Sequence, residues 1–373
     1  MKKILHIIPG FGGGISSFVK NLALGNSGVE IVYDVMGFNK FPQFYERIIN
    51  NQGGKCYSLP SIHKHPIKMM KIYNEMLKKQ SYDVVHCHFS GYRGFAFKAI
   101  AKIHGVNNIA THAHRTSEEK SNIFDGVTRK LSQLLSRSMS SELYACSKMA
   151  GEYIFGSMQL KNKKVIVIPN SVDTEKFLKD VDTSIIEQYR KEFEIPANCE
   201  IIGHIGRFNI QKNHIFMLKL AKNLKERNVN FRMIFVGDGE LLEKIKIEAQ
   251  KMQLSENVIF AGKREDIDSY IKLFDVMILP SLFEGLPTVA VEAQAAGIPC
   301  VLADTITEEC DLRMGLVKFL PIIKVTVWSD ELKKIVKKNV DPSIRKKQLE
   351  LMGFTIDSMQ KRYRESLGIG GQT

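Results

Sequence analysis

Short apolar runs alternate with amphipathic stretches along the first half of this chain of 373 residues. Apolar runs read as buried strands, and stretches with apolar residues every three or four positions read as helices. This alternation predicts parallel βαβ units with right-handed crossovers. The predicted strands are residues 3–8, 31–35, 83–88, 108–111, 143–147 and 165–169, and the predicted helices are residues 16–24, 67–79, 95–102 and 129–138.

The same pattern restarts after a polar stretch at residues 174–184. Strands are predicted at residues 200–206, 231–236, 258–260, 276–279 and 299–302, and helices at residues 185–194, 216–227, 241–252 and within 328–367. The fold class is therefore α/β, with two Rossmann-like, doubly wound parallel-sheet domains. We expect them to face a central cleft, because ligands bind at the carboxyl ends of such strands.

Bulk composition is typical of a globular protein, with 44% hydrophobic and 25% charged residues. No apolar run approaches the length of a membrane span. The run at residues 1–9 is too short for a signal peptide and reads as the first buried strand. The six cysteines are scattered without a C-x-x-C pair, which predicts reduced thiols in a cytoplasmic protein.

The net charge of +13 suggests an anionic partner: nucleic acid, a membrane surface or a phosphorylated substrate. Basic residues are spread along the chain, and no nucleic-acid-binding signature accompanies them. We therefore expect no nucleic acid and favour phosphorylated substrates together with an anionic membrane surface, on whose inner face the protein would be peripheral. A basic surface without a partner is nearly as good an explanation.

Two carboxylates, Glu284 and Glu292, flank a predicted helix start. They follow the apolar run at residues 276–279, and Pro287 can open a helix because its missing N–H is one that the first turn leaves unpaired. A helix N-terminus attracts phosphate, and the carboxylates can accept hydrogen bonds from hydroxyls. This combination suits a nucleotide diphosphate sugar.

The spacing of these carboxylates resembles the E-x7-E segment of the retaining family-4 glycosyltransferases, which have the GT-B architecture. The resemblance implies that Glu284 binds hydroxyls of the donor sugar and that Glu292 binds the ribose. It also implies that the Gly285 and Leu286 backbone holds the diphosphate, with Thr288 among the donor contacts. No metal or other cofactor is expected, because cations and a helix N-terminus take the place of a metal in GT-B enzymes.

Arg207 and Lys212 follow the first predicted strand of the second half. A forked cation and a compact one in a single loop suit a diphosphate. The segment resembles the G-R-x4-K element of the same family, whose Arg and Lys bind the donor diphosphate and support catalysis. By the same resemblance, Lys263 lies in a region that contacts the nucleotide base. Uracil is the expected base, and guanine remains open.

A glycine-rich loop at residues 10–14 follows the first strand. Gly13 and Gly14 are candidate donor contacts, because glycines let backbone amides approach a phosphate or sugar closely. The loop lacks the third glycine of a dinucleotide fingerprint, since Ile15 breaks the pattern. Many family members have a Glu after this loop. Ser16 stands there in this chain, which puts that acceptor contact in doubt.

Two H-x-H pairs end neighbouring predicted strands, and alternation puts both imidazoles of a pair on one side of the strand. His86 and His88 form the first pair, and His112 and His114 the second. Zinc is a weak prediction for either pair, because neither has a carboxylate or cysteine pair at metal spacing. Family members often have a His at this strand end that contacts the donor sugar. The resemblance makes His114 the first candidate and His112 the second.

Two D-x-D sequences, at residues 180–182 and 266–268, match the metal motif of other glycosyltransferases only superficially. The first lies in a linker and the second begins a predicted helix. We therefore expect both to be coincidental.

The resemblance implies an acceptor-binding domain at residues 1–180 and a nucleotide-sugar-binding domain at residues 181–350. A C-terminal helix at residues 351–373 would cross back to the first domain. The implied reaction moves a hexose or N-acetylhexosamine, with retention, from a nucleotide diphosphate sugar to a hydroxyl of a glycan or lipid-linked acceptor in exopolysaccharide or capsule synthesis. A non-catalytic sugar-nucleotide-binding subunit, a UDP-sugar epimerase and a nicotinamide-dependent dehydrogenase are the alternatives.

Overall fold

The computed structural model describes residues 1–11, 13–26, 28–38, 40–61, 64–116, 125–180, 182–335 and 339–369. The chain forms two compact units, one made of Met1–Ser171 with Ile356–Thr373 and the other of Val172–Thr355. These limits, 171/172 and 355/356, differ by nine and five residues from the boundaries at 180/181 and 350/351 that the resemblance implies.

A parallel seven-stranded sheet in the order β3-β2-β1-β4-β5-β6-β7 forms the centre of the first unit. Its strands are β1 (Lys2–Ile8), β2 (Ile31–Phe38), β3 (Cys56–Leu59), β4 (Val84–Cys87), β5 (Asn108–Ala113), β6 (Glu142–Ala145) and β7 (Val165–Val167). The helices between and after them are α1 (Gly14–Ala23), α2 (Gln43–Asn51), α3 (Pro66–Lys79), α4 (Gly91–Ile103), α5 (Asp125–Arg137), α6 (Lys148–Phe155) and α7 (Ser157–Lys161).

The second unit is built on a parallel six-stranded sheet in the order β10-β9-β8-β11-β12-β13. Its strands are β8 (Glu200–Ile205), β9 (Phe231–Val236), β10 (Val258–Gly262), β11 (Val276–Leu279), β12 (Cys300–Ala303) and β13 (Val317–Leu320). Its helices are α8 (Thr174–Leu178), α9 (Thr183–Glu192), α10 (His214–Glu226), α11 (Leu242–Lys251), α12 (Ile267–Leu273), α13 (Thr288–Ala295), α14 (Val325–Leu332) and α15 (Pro342–Met352).

The last helix, α16 (Ile356–Ser366), returns to the first unit. Its Met359 and Tyr363 are fully buried in the core that also contains Phe18 of α1. The strand β1 supplies this core with Ile4 and Ile8, while its alternate residues face a second core on the other side of the sheet. The sheet is therefore covered on both faces, as in doubly wound α/β proteins.

Each sheet reverses its strand order once, between β1 and β4 in the first unit and between β8 and β11 in the second. At such a switch point the connections leave toward opposite faces, so the loops after the two strands diverge and leave a crevice for a ligand. The loops after β1, β4, β8 and β11 are therefore the places where a site is expected.

The two predicted parallel sheets are confirmed, and each predicted strand is present with ends shifted by a few residues. The strands β3 and β13 and the helices α2, α6, α7 and α8 are additions that the sequence did not reveal. Both strands are short and lie at sheet edges, where three of the four residues in each strand are partly buried or exposed. Pro287 is the N-cap of α13, so that helix begins one residue later than expected.

Among the described helices, none combines the length and the apolar composition that are needed to cross a lipid bilayer.

Candidate active site

The loop between β8 and α10 carries the predicted cations Arg207 and Lys212. Backbone hydrogen bonds tie this loop to the one after β9: Phe208 N donates to Asp238 O at 2.9 Å. Gly237 has a φ of +146°, and a Cβ there would lie 2.0 Å from the Gly206 carbonyl oxygen. Only glycine permits this close approach, so the path of the loop depends on it.

Lys212 and Glu284 form a mostly buried ion pair. The lysine Nζ lies 2.6 Å from Glu284 Oε1, and the two side chains are 14% and 9% exposed. Gln211 Nε2 donates to the other carboxylate oxygen at 3.0 Å and to the Phe283 carbonyl oxygen at 2.9 Å. Both oxygens of Glu284 are therefore held by charged or polar donors, which fixes the orientation of the carboxylate beside the start of α13.

Arg207 has a different partner in this structure. Its side chain is 71% exposed, and its Nη2 lies 3.1 Å from Glu240 Oε2 in the loop after β9. The structure therefore brings Lys212, but not Arg207, into contact with Glu284. An exposed ion pair contributes little free energy, so Arg207 can exchange Glu240 for a bound anion at small cost.

The start of α13 offers its first-turn peptide groups to an anion. Thr288 is its first residue, and the N-cap, Pro287, supplies no side-chain capping bond. The first turn contains no acidic residue, so the helix dipole there is not offset. Glu292 is half-buried one turn further on, and the spacing of four residues puts it on the same face as Thr288.

Lys263 lies apart from this group. It is exposed and follows β10, which is separated from β8 by β9. Adjacent strands are about 4.8 Å apart, so β10 lies roughly 10 Å from β8 across the sheet. The strand order thus places Lys263 about two strand spacings from the loop that carries Lys212.

Five histidines of the first unit form a cluster on the sheet face that α1 and α16 cover. In addition to the two predicted pairs it contains His6 of β1, which pairs in register with His86 of β4. The His88 Nδ1 lies 2.8 Å from His114 Nε2, and the ring centroids of His112 and His114 are 4.0 Å apart. Sequence reasoning missed His6, because only the neighbouring strand order reveals it.

Burial keeps the imidazoles of this cluster neutral. It lowers the pKa of His6 and His114 to about 3. The pKa values of His86, His88 and His112 also lie well below the usual 6.5, mainly through burial and then through neighbouring imidazoles. At neutral pH these groups can exchange hydrogen bonds with a ligand, but they cannot supply positive charge to a phosphate.

A cavity of 170 Å³ opens at the switch point of the first sheet. It is bordered by Ile15 after β1, by His88 after β4, and by His112 and His114 at the end of β5. The cluster thus has a wall of imidazoles facing a space that a small ligand can enter.

The glycine-rich loop leads into α1 beside this cavity. Gly13 is the N-cap of α1 with a φ of +121°, and Gly14 packs so closely that a Cβ would lie 2.6 Å from Asn170 Nδ2. Gly12 lies outside the described residues. Ser16 is buried, and its hydroxyl donates to the Gly13 carbonyl oxygen at 3.0 Å. Its side chain thus bonds to the start of its own helix, at the position where many family members have a Glu.

Three of the four carboxylates of the D-x-D sequences, those of Asp182, Asp266 and Asp268, have structural partners. Asp182 caps α9 by accepting a bond from Ser184 N at 2.9 Å. Asp266 accepts a hydrogen bond from the Tyr189 hydroxyl, and Asp268 lies 3.0 Å from Lys176 Nζ. Val181 lies outside the described residues. Helix capping and ion pairing therefore account for these described carboxylates.

Gln211 and Glu240 are contacts that sequence reasoning missed. Gln211 holds Glu284, and Glu240 holds Arg207. Their position gave a signal, since Gln211 directly precedes Lys212 and Glu240 ends the glycine-rich turn after β9. The sequence does not show which side chain Gln211 or Glu240 contacts, because those contacts join loops that are distant in the sequence.

Two family models match the chain. Residues 12–176 match Glycosyltransferase Family 4, and residues 185–312 match Glycosyl transferases group 1. The two matches fall on the first and the second unit.

Curated relatives agree with these matches. EpsF of Bacillus subtilis (strain 168), named as a glycosyltransferase, is 34% identical over 336 residues, which are 89% of this chain and 87% of EpsF. The Escherichia coli UDP-Gal:alpha-D-GlcNAc-diphosphoundecaprenol alpha-1,3-galactosyltransferase is 29% identical over 67% of this chain and 65% of its own length.

Among solved structures, Anabaena Alr3699/HepE in complex with UDP-glucose has the same fold. The TM-score is 0.77 at 18% identity, over 99% of this chain and 100% of that one. The fold, the two family models and the extended similarity to EpsF agree: this chain belongs to the family-4 glycosyltransferases of the GT-B fold.

Proposed function

We propose that this protein is a retaining glycosyltransferase that moves a hexose or N-acetylhexosamine from a UDP-sugar to a hydroxyl of a lipid-linked or glycan acceptor in exopolysaccharide or capsule synthesis. The observation that carries the proposal is the fixed Glu284 carboxylate. Lys212 and Gln211 hold both of its oxygens beside the start of α13, at the switch point of the second sheet.

The donor diphosphate is assigned to Lys212, Arg207 and the Gly285 and Leu286 amides at the start of α13. A cation and a helix N-terminus together favour a diphosphate over a neutral ligand. Thr288 lies in the first turn of the same helix and is a further donor contact. Support for a UDP-sugar comes from the UDP-glucose in the HepE complex and the UDP-Gal in the name of the Escherichia coli relative.

The sugar and ribose are assigned to the two carboxylates. Glu284 accepts hydrogen bonds from sugar hydroxyls, and Glu292 accepts them from the ribose. The neutral His114, with His112 as second candidate, can exchange hydrogen bonds with the sugar without adding charge. Gly13 and Gly14 stay predicted donor contacts through their backbone, and Lys263 stays a predicted contact of the base.

In the reaction, the bond between the anomeric carbon and the diphosphate oxygen breaks while the acceptor oxygen bonds to that carbon. The acceptor proton passes to the departing diphosphate. Negative charge grows on the leaving group, and Lys212 and the α13 dipole stabilise it. Glu284 is assigned to the sugar hydroxyls and not to covalent attack, because its ion pair with Lys212 lowers the nucleophilicity of the carboxylate. Attack from the face that the diphosphate leaves therefore explains retention.

Ligand-induced stabilisation tests the donor. We expect UDP and UDP-sugars to raise the melting temperature, because a ligand present at 100 times its Kd stabilises the folded state by about 2.7 kcal/mol. GDP and ADP compounds at equal concentration serve as the matched controls in the same thermal-shift screen. Stabilisation by the GDP or ADP series alone would contradict a UDP donor.

A surface for an anionic membrane is assigned to α5. Val127, Leu131 and Leu134 are exposed and lie on one side of this helix, since they are four and then three residues apart. The exposed cations Arg129 and Lys130 lie on the same helix. An amphipathic helix with apolar and basic residues binds anionic lipid surfaces by combining burial and charge attraction.

Vesicle binding tests this surface. Because each exposed Leu would bury apolar area in the bilayer, the double substitution Leu131→Glu with Leu134→Glu should lower binding to anionic vesicles about tenfold or more in cosedimentation. Leu351→Glu is the matched control, since Leu351 is an exposed leucine on α15 of the second unit. Equal binding by both variants and the unmodified protein would overturn the assignment.

A further inference from the structure

The two H-x-H pairs lie side by side in the first unit, although each alone lacks a further metal ligand in sequence. The strands β4 and β5 are neighbours, and His86 is in register with Ala110. As a result, His88, His112 and His114 each offer one ring nitrogen, and these atoms lie within 4.8 Å of one another. Three nitrogen ligands from two adjacent strands thus converge without any carboxylate or thiol.

We propose that His88, His112 and His114 form a binding site for a divalent transition metal such as zinc. Three histidines with one open position are a known tetrahedral arrangement for zinc. Bonds of about 2.0–2.1 Å put two nitrogens of such a site about 3.3–3.5 Å apart. The His88 Nδ1 and His114 Nε2 atoms are 2.8 Å apart, so this pair would have to separate by only about 0.5–0.7 Å to accommodate the ion.

One ligand atom of the site has no other role. The Nε2 of His112 is buried and has no hydrogen-bond partner among the described residues. A buried polar atom without a partner costs free energy, and coordination would remove that cost. This unpartnered atom, His112 Nε2, is the third ligand of the site, beside the adjoining His88 Nδ1 and His114 Nε2.

The remaining cluster supplies outer contacts to two of the three ligands, whereas the buried Nδ1 of His114 has no partner among the described residues. The other nitrogen of His88 lies 3.0 Å from His6 Nδ1, and the other nitrogen of His112 lies 3.2 Å from His86 Nε2. This series of hydrogen bonds ends at the Tyr363 hydroxyl, which lies 2.8 Å from His86 Nδ1. Such contacts fix the tautomer and the ring orientation of the ligands.

A second triad consists of His6, His86 and His88. Its ligand atoms are similarly spaced, but it is less suited to bind a metal ion. Its members are almost fully buried, and His6 and His86 do not border the cavity of 170 Å³. His88, His112 and His114 do border it, so an ion can enter there and a water molecule can complete the tetrahedron. Because both triads use His88, the site takes a single ion.

The chemistry of the ligands selects the metal. Imidazole nitrogens suit zinc, cobalt, nickel and copper, whereas magnesium and calcium prefer oxygen ligands. The site goes beyond the proposed transfer reaction and needs no donor. An ion bound there would occupy the imidazoles assigned to the sugar, so the two uses exclude one another at any moment.

Cobalt titration of the full chain tests the site. We expect one equivalent of Co²⁺ to give the visible absorption bands of tetrahedral cobalt, and Zn²⁺ to abolish them by displacement. His114→Asn and His112→Asn should weaken binding about 100-fold or more, since loss of an outer contact alone weakens a metal site 10- to 100-fold. His104→Asn is the matched control, because His104 binds Asn74 on the same unit, away from the cluster.

Three results would overturn the site: no tetrahedral bands, unchanged affinity in His114→Asn, or a loss confined to His6→Asn, which would indicate the second triad. Circular dichroism and the melting temperature of each variant verify that it is folded. His114→Asn should keep its stabilisation by UDP, because the proposed diphosphate contacts lie in the second unit. Failure of the metal site is therefore distinguishable from failure of the donor assignment.

Discussion

Replacing Glu284 by Gln is expected to lower the rate of sugar transfer about 100- to 1,000-fold, the range found when one preorganised polar contact to a transition state is removed. The affinity for UDP should stay within a few-fold of the unmodified protein. Glu284 is assigned to the sugar hydroxyls, and UDP without its sugar makes no use of that carboxylate. Initial rates with saturating donor and calorimetric titration with UDP measure the two effects.

Glu240→Gln is the matched control for this substitution. It removes the charge of a carboxylate that also pairs with a cation of the loop after β8, but in an exposed position. Its rate should change far less. If Glu284→Gln turned over at the normal rate, Glu284 would have no part in the mechanism.

Loss of stability has to be separated from loss of catalysis in Glu284→Gln. The substitution leaves the mostly buried Lys212 ammonium without its carboxylate, and breaking a buried ion pair costs up to about 3–5 kcal/mol. Part of that cost is avoided, since the new amide oxygen can still accept a bond from Lys212. The melting temperature should fall moderately, and UDP should still raise it.

The fold could be predicted from the sequence because its sheets are buried on both faces. The strand β11 reads as a continuous apolar run and β9 as one that only Arg232 interrupts, and their limits coincide with the predicted ones. Edge strands give a weaker signal. The strand β3 has an exposed residue among only four, so neither length nor alternation distinguished it from a loop.

Of the site, only the residues that lie close together in the sequence could be predicted as a group. Glu284 and the start of α13 are close in sequence, and a short motif reveals them together. The contact between Lys212 and Glu284 joins residues 72 positions apart, and its existence depends on β8 and β11 being neighbours. The preference of Arg207 for Glu240 rather than Glu284 has the same origin.

The histidine cluster is a second feature that depends on contacts between residues distant in the sequence. Alternation along a strand predicted that His86 and His88 share a side, as do His112 and His114. Only the strand order could show that the two pairs adjoin and that His6 of β1 completes the cluster. Five neutral imidazoles on one sheet face are a property of the tertiary structure and have no local signature.

The second large effect is expected for Lys212→Met. This substitution keeps the apolar stem and removes the ammonium group that neutralises the departing diphosphate. Transfer should fall about 100- to 1,000-fold, and UDP affinity should fall about tenfold or more, since a hydrogen bond to a charged group contributes about 1.5–3 kcal/mol. Both quantities decrease here, whereas only the rate decreases in Glu284→Gln.

Arg207→Met is the matched control for Lys212→Met. It shows whether the buried position of Lys212 matters in addition to its positive charge. Arg207 and Lys212 belong to one loop, but Arg207 is mostly exposed and Lys212 is mostly buried. Water screens an exposed cation, so its removal should weaken UDP binding and transfer less than the removal of Lys212. Equal losses of UDP affinity and transfer rate in the two variants would mean that Lys212 contributes no more than Arg207, despite its buried ion pair with Glu284. The diphosphate would then be held by the loop as a whole.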